Sequence, residues 1–186
     1  MAPEVHPDFT RVHSPFEGAL VRLRAVEEDD LPAINEGIWD PEVSQHLATT
    51  WPQPLAGTRR WWERGREGND HDFVIELHGS GVIGACSLEQ LHGDTRSARL
   101  GIWIGKPNWG RGFGTDAVRV LCRFGFRELN LQRIGLGVYE TNPRAIRAYR
   151  KVGFVEEGRR RRDHFIDGRY VDLILMGLLA DELIEA

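Results

Sequence analysis

The chain has 186 residues, 41% hydrophobic and 28% charged, the proportions of an ordinary globular protein with enough apolar mass for one substantial core. A net charge of -4 argues against a bulk nucleic-acid binder, and the absence of a signal-like or membrane-length apolar run makes the cytoplasm the expected address. Cys86 and Cys122, the two cysteines, are too few for a disulfide framework and read as reduced core residues, and the seven scattered histidines lack ligand spacing, so no metal is expected.

Residues 1–18 carry three prolines without a period and read as a poorly ordered arm ahead of a single domain over 19–186. Residues 19–26 alternate as a strand. Glu27, Glu28, Asp29 and Asp30 stand ahead of Leu31 and Pro32, as a helix start prefers, and predict a helix over 30–36. Asp40 and Pro41 restart a helix, and 55–67 forms another with an apolar patch at Trp61 and Trp62. After Gly68, Asn69 and Asp70 the period changes to two. Residues 72–78 form a strand, Gly79, Ser80 and Gly81 a hairpin turn, and 82–91 its partner. His92, Gly93 and Asp94 turn the chain into a strand over 97–104.

A glycine loop follows, then a helix-patterned segment over 117–129 and a strand over 133–139. Residues 142–152 form a short helix, with Thr141 or Asn142 as cap, Pro143 in its first position and Gly153 at its end. Residues 154–162 and 170–178 close as a hairpin around Asp167 and Gly168. This order predicts an α/β (α+β mixed) architecture, a mixed sheet flanked by helices.

The loop reads Trp109, Gly110, Arg111, Gly112, Phe113, Gly114, Thr115 between an apolar strand and a helix. Glycines let backbone approach an anion closely, and the first N–H groups of the following helix point at it with the positive end of the helix dipole. A plain strand-to-helix turn would also favour glycine.

Taken with the Asn142 to Phe154 segment, the loop resembles the acyl-CoA-dependent N-acyltransferases of the GNAT superfamily. Gly112 and Gly114 fill the glycine slots of its pyrophosphate loop, and Trp109 stands where Gln or Arg is more usual. Trp109 followed by Gly110, the run Asp40, Pro41, Glu42, Val43, and the run from Asp167 to Asp172 leading into Leu175, Met176 and Gly177 resemble the ribosomal-protein N-terminal acetyltransferase branch. The resemblance implies a central, mostly antiparallel twisted sheet of about seven strands. It also implies acetyl-CoA as co-substrate and transfer of the acetyl group to a primary amine of a small molecule or a protein N-terminus by direct attack in a ternary complex. No membrane or direct nucleic-acid partner follows from it, and a homodimer stays open.

In that reading, backbone at Gly110 to Thr115 holds the pyrophosphate, Arg111 adds a charge-assisted bond, and Ile102, Trp103 and Ile104 pair with the pantetheine arm. Asn142, Ala145, Arg147 and Arg150 complete the cofactor contacts, Asn142 doubling as a cap. Tyr149 is the acid that protonates the departing thiolate, or an aromatic packed with Ile146 and Val152. The branch commonly has a glutamate where this chain has Arg99, so the base falls to Glu89, with His92 and Asp94 behind it, or to a water chain. Glu89 reads equally as a solvated strand-end carboxylate. Trp39, Trp51, Trp61 and Trp62 fall where the superfamily places its acceptor cleft. The run from Arg159 to Arg162 reads as a solvated strand edge.

Two other classes fit parts of the pattern. A non-catalytic CoA-binding regulatory module would tolerate Arg99 in the glutamate slot. A dinucleotide-binding oxidoreductase would also use a strand, glycine loop and helix, although the glycines lack its longer fingerprint.

Overall fold

The elements run in chain order as β1 (Val21–Ala25), α1 (Leu31–Ile38), α2 (Pro41–Ser44), α3 (Leu55–Glu67), β2 (His71–Leu77), β3 (Ser80–His92) and β4 (Ser97–Ile104). They continue as α4 (Phe113–Arg127), β5 (Arg133–Tyr139), α5 (Pro143–Val152), β6 (Val155–Ile166) and β7 (Arg169–Leu179). The computed structural model describes residues 14–47, 52–68 and 70–185.

The strands form one sheet in the order β1-β2-β3-β4-β5-β7-β6. Every neighbouring pair is antiparallel except β4 and β5. That parallel pair lasts three positions, from Ser97 opposite Arg133 to Arg99 opposite Gly135. Beyond it, β4 stays with β3 as far as Ile104, and β5 stays with β7 as far as Tyr139. The two ladders diverge, and the twist of the sheet opens a gap between them. From Leu100 to Ile104 the β5-facing edge of β4 has no sheet partner among the described residues.

Strand alternation sends side chains to two cores. Cys86 and Leu88 of β3 and Ala98 and Leu100 of β4 pack with Ala117, Val118, Leu121 and Cys122 of α4, and with Ile146 and Val152 of α5. Burying each large apolar side chain stabilises the fold by about 1.5–3 kcal/mol. The opposite face carries a second cluster of Val26, Leu31, Ile34 and Val74 under Trp61, Trp62 and Trp103. Both cysteines are free and buried.

Differences from the expected elements have local causes. Helix α4 begins at Phe113 rather than near 117, because Gly112 turns into the left-handed region at φ 88° and caps it directly. The end of the predicted loose arm is packed: Phe16 lies 5.4 Å from Phe73 and 5.0 Å from Phe124 between ring centroids. Residues 1–13 of that arm lie outside the described residues. The closing hairpin turns at Asp167 (φ 47°) and Gly168 (φ 76°), a two-residue left-handed turn that matches strand twist, and both strands run longer than expected. A bulge between Arg160 and His164, with Arg162 at φ 53°, breaks the simple alternation expected of the arginine run. β6 is nonetheless one of the sheet's two edge strands.

Candidate active site

An open cavity of about 910 Å³ occupies the gap where β4 and β5 part, a volume suited to a cofactor-sized ligand. At one end stands the glycine loop. Gly110 (φ 75°) and Gly112 (φ 88°) adopt left-handed conformations that side chains resist. The Asp116 N–H donates to the Gly112 carbonyl at 3.0 Å and closes the first turn of α4. The N–H groups ahead of it have no helical acceptor, and Gly112, Phe113, Gly114 and Thr115 line the cavity with them. Asp116 is buried and accepts from the N–H groups of Leu20 at 2.7 Å and Val21 at 3.1 Å, which ties the loop to β1.

Trp109 is the hinge of the loop. Its Nε1 donates to the Ile104 carbonyl at 2.6 Å, while the Arg144 guanidinium carbon stands 3.3 Å from the ring centre. His46 lies on the same ring, 6.3 Å between centroids, and its Nδ1 is buried without a hydrogen-bond partner among the described residues. Burial, reinforced by the Arg144 charge, lowers its pKa, so the imidazole is neutral near pH 7.

The long walls are β4 and α5. Ile102, Trp103 and Ile104 line the gap. The Trp103 ring packs over Gly37, where a β-carbon would come within 2.5 Å of it. Across the gap, Asn142 caps α5 by accepting from the Ala145 N–H at 3.1 Å and also lines the cavity with Ala145 and Arg147. Arg144, Arg147 and Lys151 repeat at helical spacing along this wall, and no carboxylate lies within ion-pair distance of any of them among the described residues. Tyr149 is buried against Phe154, 5.8 Å between ring centroids, and lines the cavity. Its hydroxyl has no hydrogen-bond partner among the described residues, and burial pushes its pKa up to about 12, which keeps the proton on at neutral pH.

Three expected contacts are placed elsewhere. Arg111 does not line the cavity; its guanidinium lies 4.8 Å over the Phe113 ring, leaving the anion cradle to backbone. Arg150 follows the Ile146 side of α5 and pairs with Glu156 at 3.5 Å, because helical rotation turns it away from the gap. Glu89 stands one residue behind the wall. Its carboxylate accepts from the Ser87 hydroxyl at 2.7 Å and hangs over Gly101, where a β-carbon would sit 3.2 Å from Oε1. Gly101 itself lines the cavity. Burial first, and the Glu89 charge second, raise neighbouring Asp72 to about 6. His92 ends β3 and Asp94 lies in the turn beyond it; both are exposed and do not line the cavity.

The tryptophan cluster is also not the cleft wall. Trp61 and Trp62 pack in the second core, Trp62 donating to the Val26 carbonyl at 3.2 Å, and Trp39 does not line the cavity. Trp51 lies outside the described residues. Val43, His46 and Leu47 supply that wall instead. Sequence reading missed them, together with Arg144 and Lys151, although the spacing of Arg144, Arg147 and Lys151 carried the signal for one helix face.

The family comparison decides what this geometry belongs to: residues 21–155 match the Acetyltransferase (GNAT) domain. The chain belongs to the GNAT acetyltransferase family. It is 27% identical over 170 residues to the SPbeta prophage-derived uncharacterized N-acetyltransferase YokL of Bacillus subtilis (strain 168), covering 90% of this chain and 94% of that one. The putative ribosomal N-acetyltransferase YdaF of the same strain is 33% identical over 106 residues, 57% of this chain and 58% of that one. Spermidine N-acetyltransferase from Vibrio cholerae, solved with CoA and spermine, superposes with a TM-score of 0.82 at 28% identity, over 87% of this chain and 96% of that one. The fold is therefore that of the GNAT acetyltransferases, and β4, β5, the glycine loop and α5 are its parts in this chain.

Proposed function

We propose that this protein is an acetyl-CoA-dependent N-acetyltransferase that moves the acetyl group to a primary amine of a small molecule or a protein N-terminus by direct attack in a ternary complex. One observation carries the reading: the helix-capping glycine loop, the unpaired edge of β4 and the Tyr149 ring all line one continuous cavity. The solved relative with CoA and spermine supports the two substrate classes.

Acetyl-CoA supplies the thioester. The backbone of Gly112 to Thr115 binds its pyrophosphate at the helix N-terminus, and the row of Arg144, Arg147 and Lys151 offers further phosphate partners. The free edge of β4 pairs with the amides of the pantetheine arm as an extra strand would. The amine nitrogen bonds to the acetyl carbonyl carbon, the carbon–sulfur bond breaks, the sulfur leaves with the proton of Tyr149 Oη, and the second proton that the nitrogen sheds on becoming an amide restores the phenol through water. Glu89 accepts the ammonium proton through water over Gly101, since its carboxylate stands behind the wall and not in it. No helix among the described residues is long and apolar enough to cross a membrane, in keeping with action in the cytoplasm.

A free-thiol release assay with acetyl-CoA against N-terminal peptides, polyamines, aminoglycosides and amino acids tests the reading, with mass spectrometry of the product. Amine-dependent release with acetyl on nitrogen supports it. CoA binding without release for any amine would make the protein a CoA-binding module instead.

A further inference from the structure

The cavity has a second arm, on the face of the sheet opposite α4 and α5. Its floor is Gly135 and Gly137 of β5, and Arg99 and Tyr139 stand around it. Arg133 and Glu157 form an ion pair across Gly177 at its base. Arg160 and Asp163, 4.0 Å apart, and His164, stacked on Tyr139 at 5.1 Å between ring centroids, close the outer side.

The charges of this arm do not cancel. Glu157 is taken by Arg133, and Asp163 faces Arg160. Arg99 has no carboxylate within ion-pair distance among the described residues, although it stands directly opposite Glu89 in the β3–β4 ladder. The Glu89 carboxylate is turned instead to Ser87. The Arg99 charge is felt across the floor at Tyr139, where it opposes the upward pull of burial and Asp163 on the phenol. An arginine that stands opposite Gly135 in the β4–β5 ladder, in the same cavity and without a carboxylate partner among the described residues, presents a flat fork suited to a carboxylate. Within this arm three basic side chains, Arg99, Arg133 and Arg160, face two carboxylates, Glu157 and Asp163, both already beside arginines, so the surplus positive charge is that of Arg99. A polycation entering this arm would meet net repulsion, which is discrimination by unfavourable charge.

We propose that the acceptor is a small primary amine that also carries a carboxylate, which Arg99 holds over Gly135 and Gly137, and that polyamines are excluded by the same charge. The proposal rests on the transferase reading and narrows its acceptor. Arg99, in the slot where the family resemblance implies a glutamate, then selects the substrate and takes no part in moving protons.

The test uses matched pairs on the full chain: common amino acids against their carboxamides, β-alanine and γ-aminobutyrate to vary the spacing of the two groups, a peptide with a neutral N-terminal residue, and spermidine. The amide's amine is the less basic of each pair, so basicity alone would favour the amide and cannot imitate the expected preference. The best carboxylate-bearing acceptor should exceed its own amide and spermidine by about tenfold or more in kcat/KM. Arg99→Gln should erase that preference through the acceptor KM, with the KM for acetyl-CoA unchanged. Spermidine, the peptide or the amides equalling the best acid, or a preference that survives Arg99→Gln, overturns the proposal. Calorimetry of the same pairs on CoA-saturated protein separates the two readings. An acid preference that depends on Arg99, without thiol release, overturns the transferase reading and keeps this one; equal binding of acid and amide overturns this one.

Discussion

The Arg144 guanidinium carbon stands 3.3 Å from the centre of the Trp109 ring. The contact joins the first turn of α5 to the glycine loop, and the same indole holds the Ile104 carbonyl at the end of β4. Three walls of the cavity therefore meet on one side chain. Trp109→Leu removes the platform and the N–H together, interactions of about 1–2 kcal/mol each. Calorimetry should show CoA affinity reduced by about tenfold, and thermal melts a lower Tm. Unchanged CoA affinity in the folded variant would mean that the loop holds its shape without the indole.

Tyr149→Phe keeps the ring against Phe154 and deletes a hydroxyl that bonds nothing in the protein among the described residues. Stability and CoA affinity should stay near those of the parent, while turnover falls by about one hundredfold. A purely packing role predicts the reverse: normal turnover for Tyr149→Phe, and only Tyr149→Ala damaging, by about 3 kcal/mol of stability from the cavity it leaves. Turnover and melting of both variants separate these outcomes.

Glu89→Gln should lower turnover by about one hundredfold at unchanged CoA affinity if its carboxylate takes the ammonium proton. The substitution also removes a charge that raises the pKa of Asp72, so the variant should be more stable than the parent at pH 7. A catalytic group held at a cost to stability gives this pairing of effects. Full turnover in Glu89→Gln would hand the proton to water alone.

Much of this was legible in the sequence because it is local. Asn142, Pro143 and Gly153 bracket a helix by their own backbone and capping preferences, and Gly110 and Gly112 of the loop take left-handed positions that glycine favours. The side on which a residue ends up was less legible. Arg150 and Arg147 read alike in sequence, yet six residues from Arg144 leave Arg150 about 120° round the helix from it, beside Glu156, while Arg147 and Lys151 stay with Arg144 on the cavity side. Trp61 and Trp62 resemble a cleft lining, and only the packing of α3 on α1 and β2 shows them to be core. His46 and Leu47 carry no local signal, since their place depends on how α2 meets the loop.

Asp72 gives a pH signature. Its pKa rises from 3.8 to about 6 on folding, first by burial and then by the Glu89 charge. The folded state thus binds the proton more tightly than the unfolded chain, so stability falls as pH rises from about 4 to about 6, and the penalty is fully present above that. Asp72→Asn should match the parent below about pH 4 and exceed it in stability at pH 7. Denaturant melts from pH 4 to 8 check the sign. Parallel curves for the two proteins would show that Asp72 does not titrate abnormally.

Binding of acetyl-CoA through the glycine loop is the step on which everything else depends, and Gly112 tests it most directly. At φ 88°, with Leu20 Cδ1 only 3.2 Å from where a β-carbon would stand, a valine is both strained and obstructive at the mouth of the anion cradle. Titration calorimetry of acetyl-CoA should give one-to-one binding to the parent and affinity weaker by at least about tenfold in Gly112→Val, with circular dichroism reporting the fold of both proteins. Equal affinity for acetyl-CoA in parent and folded variant would contradict the account at its centre.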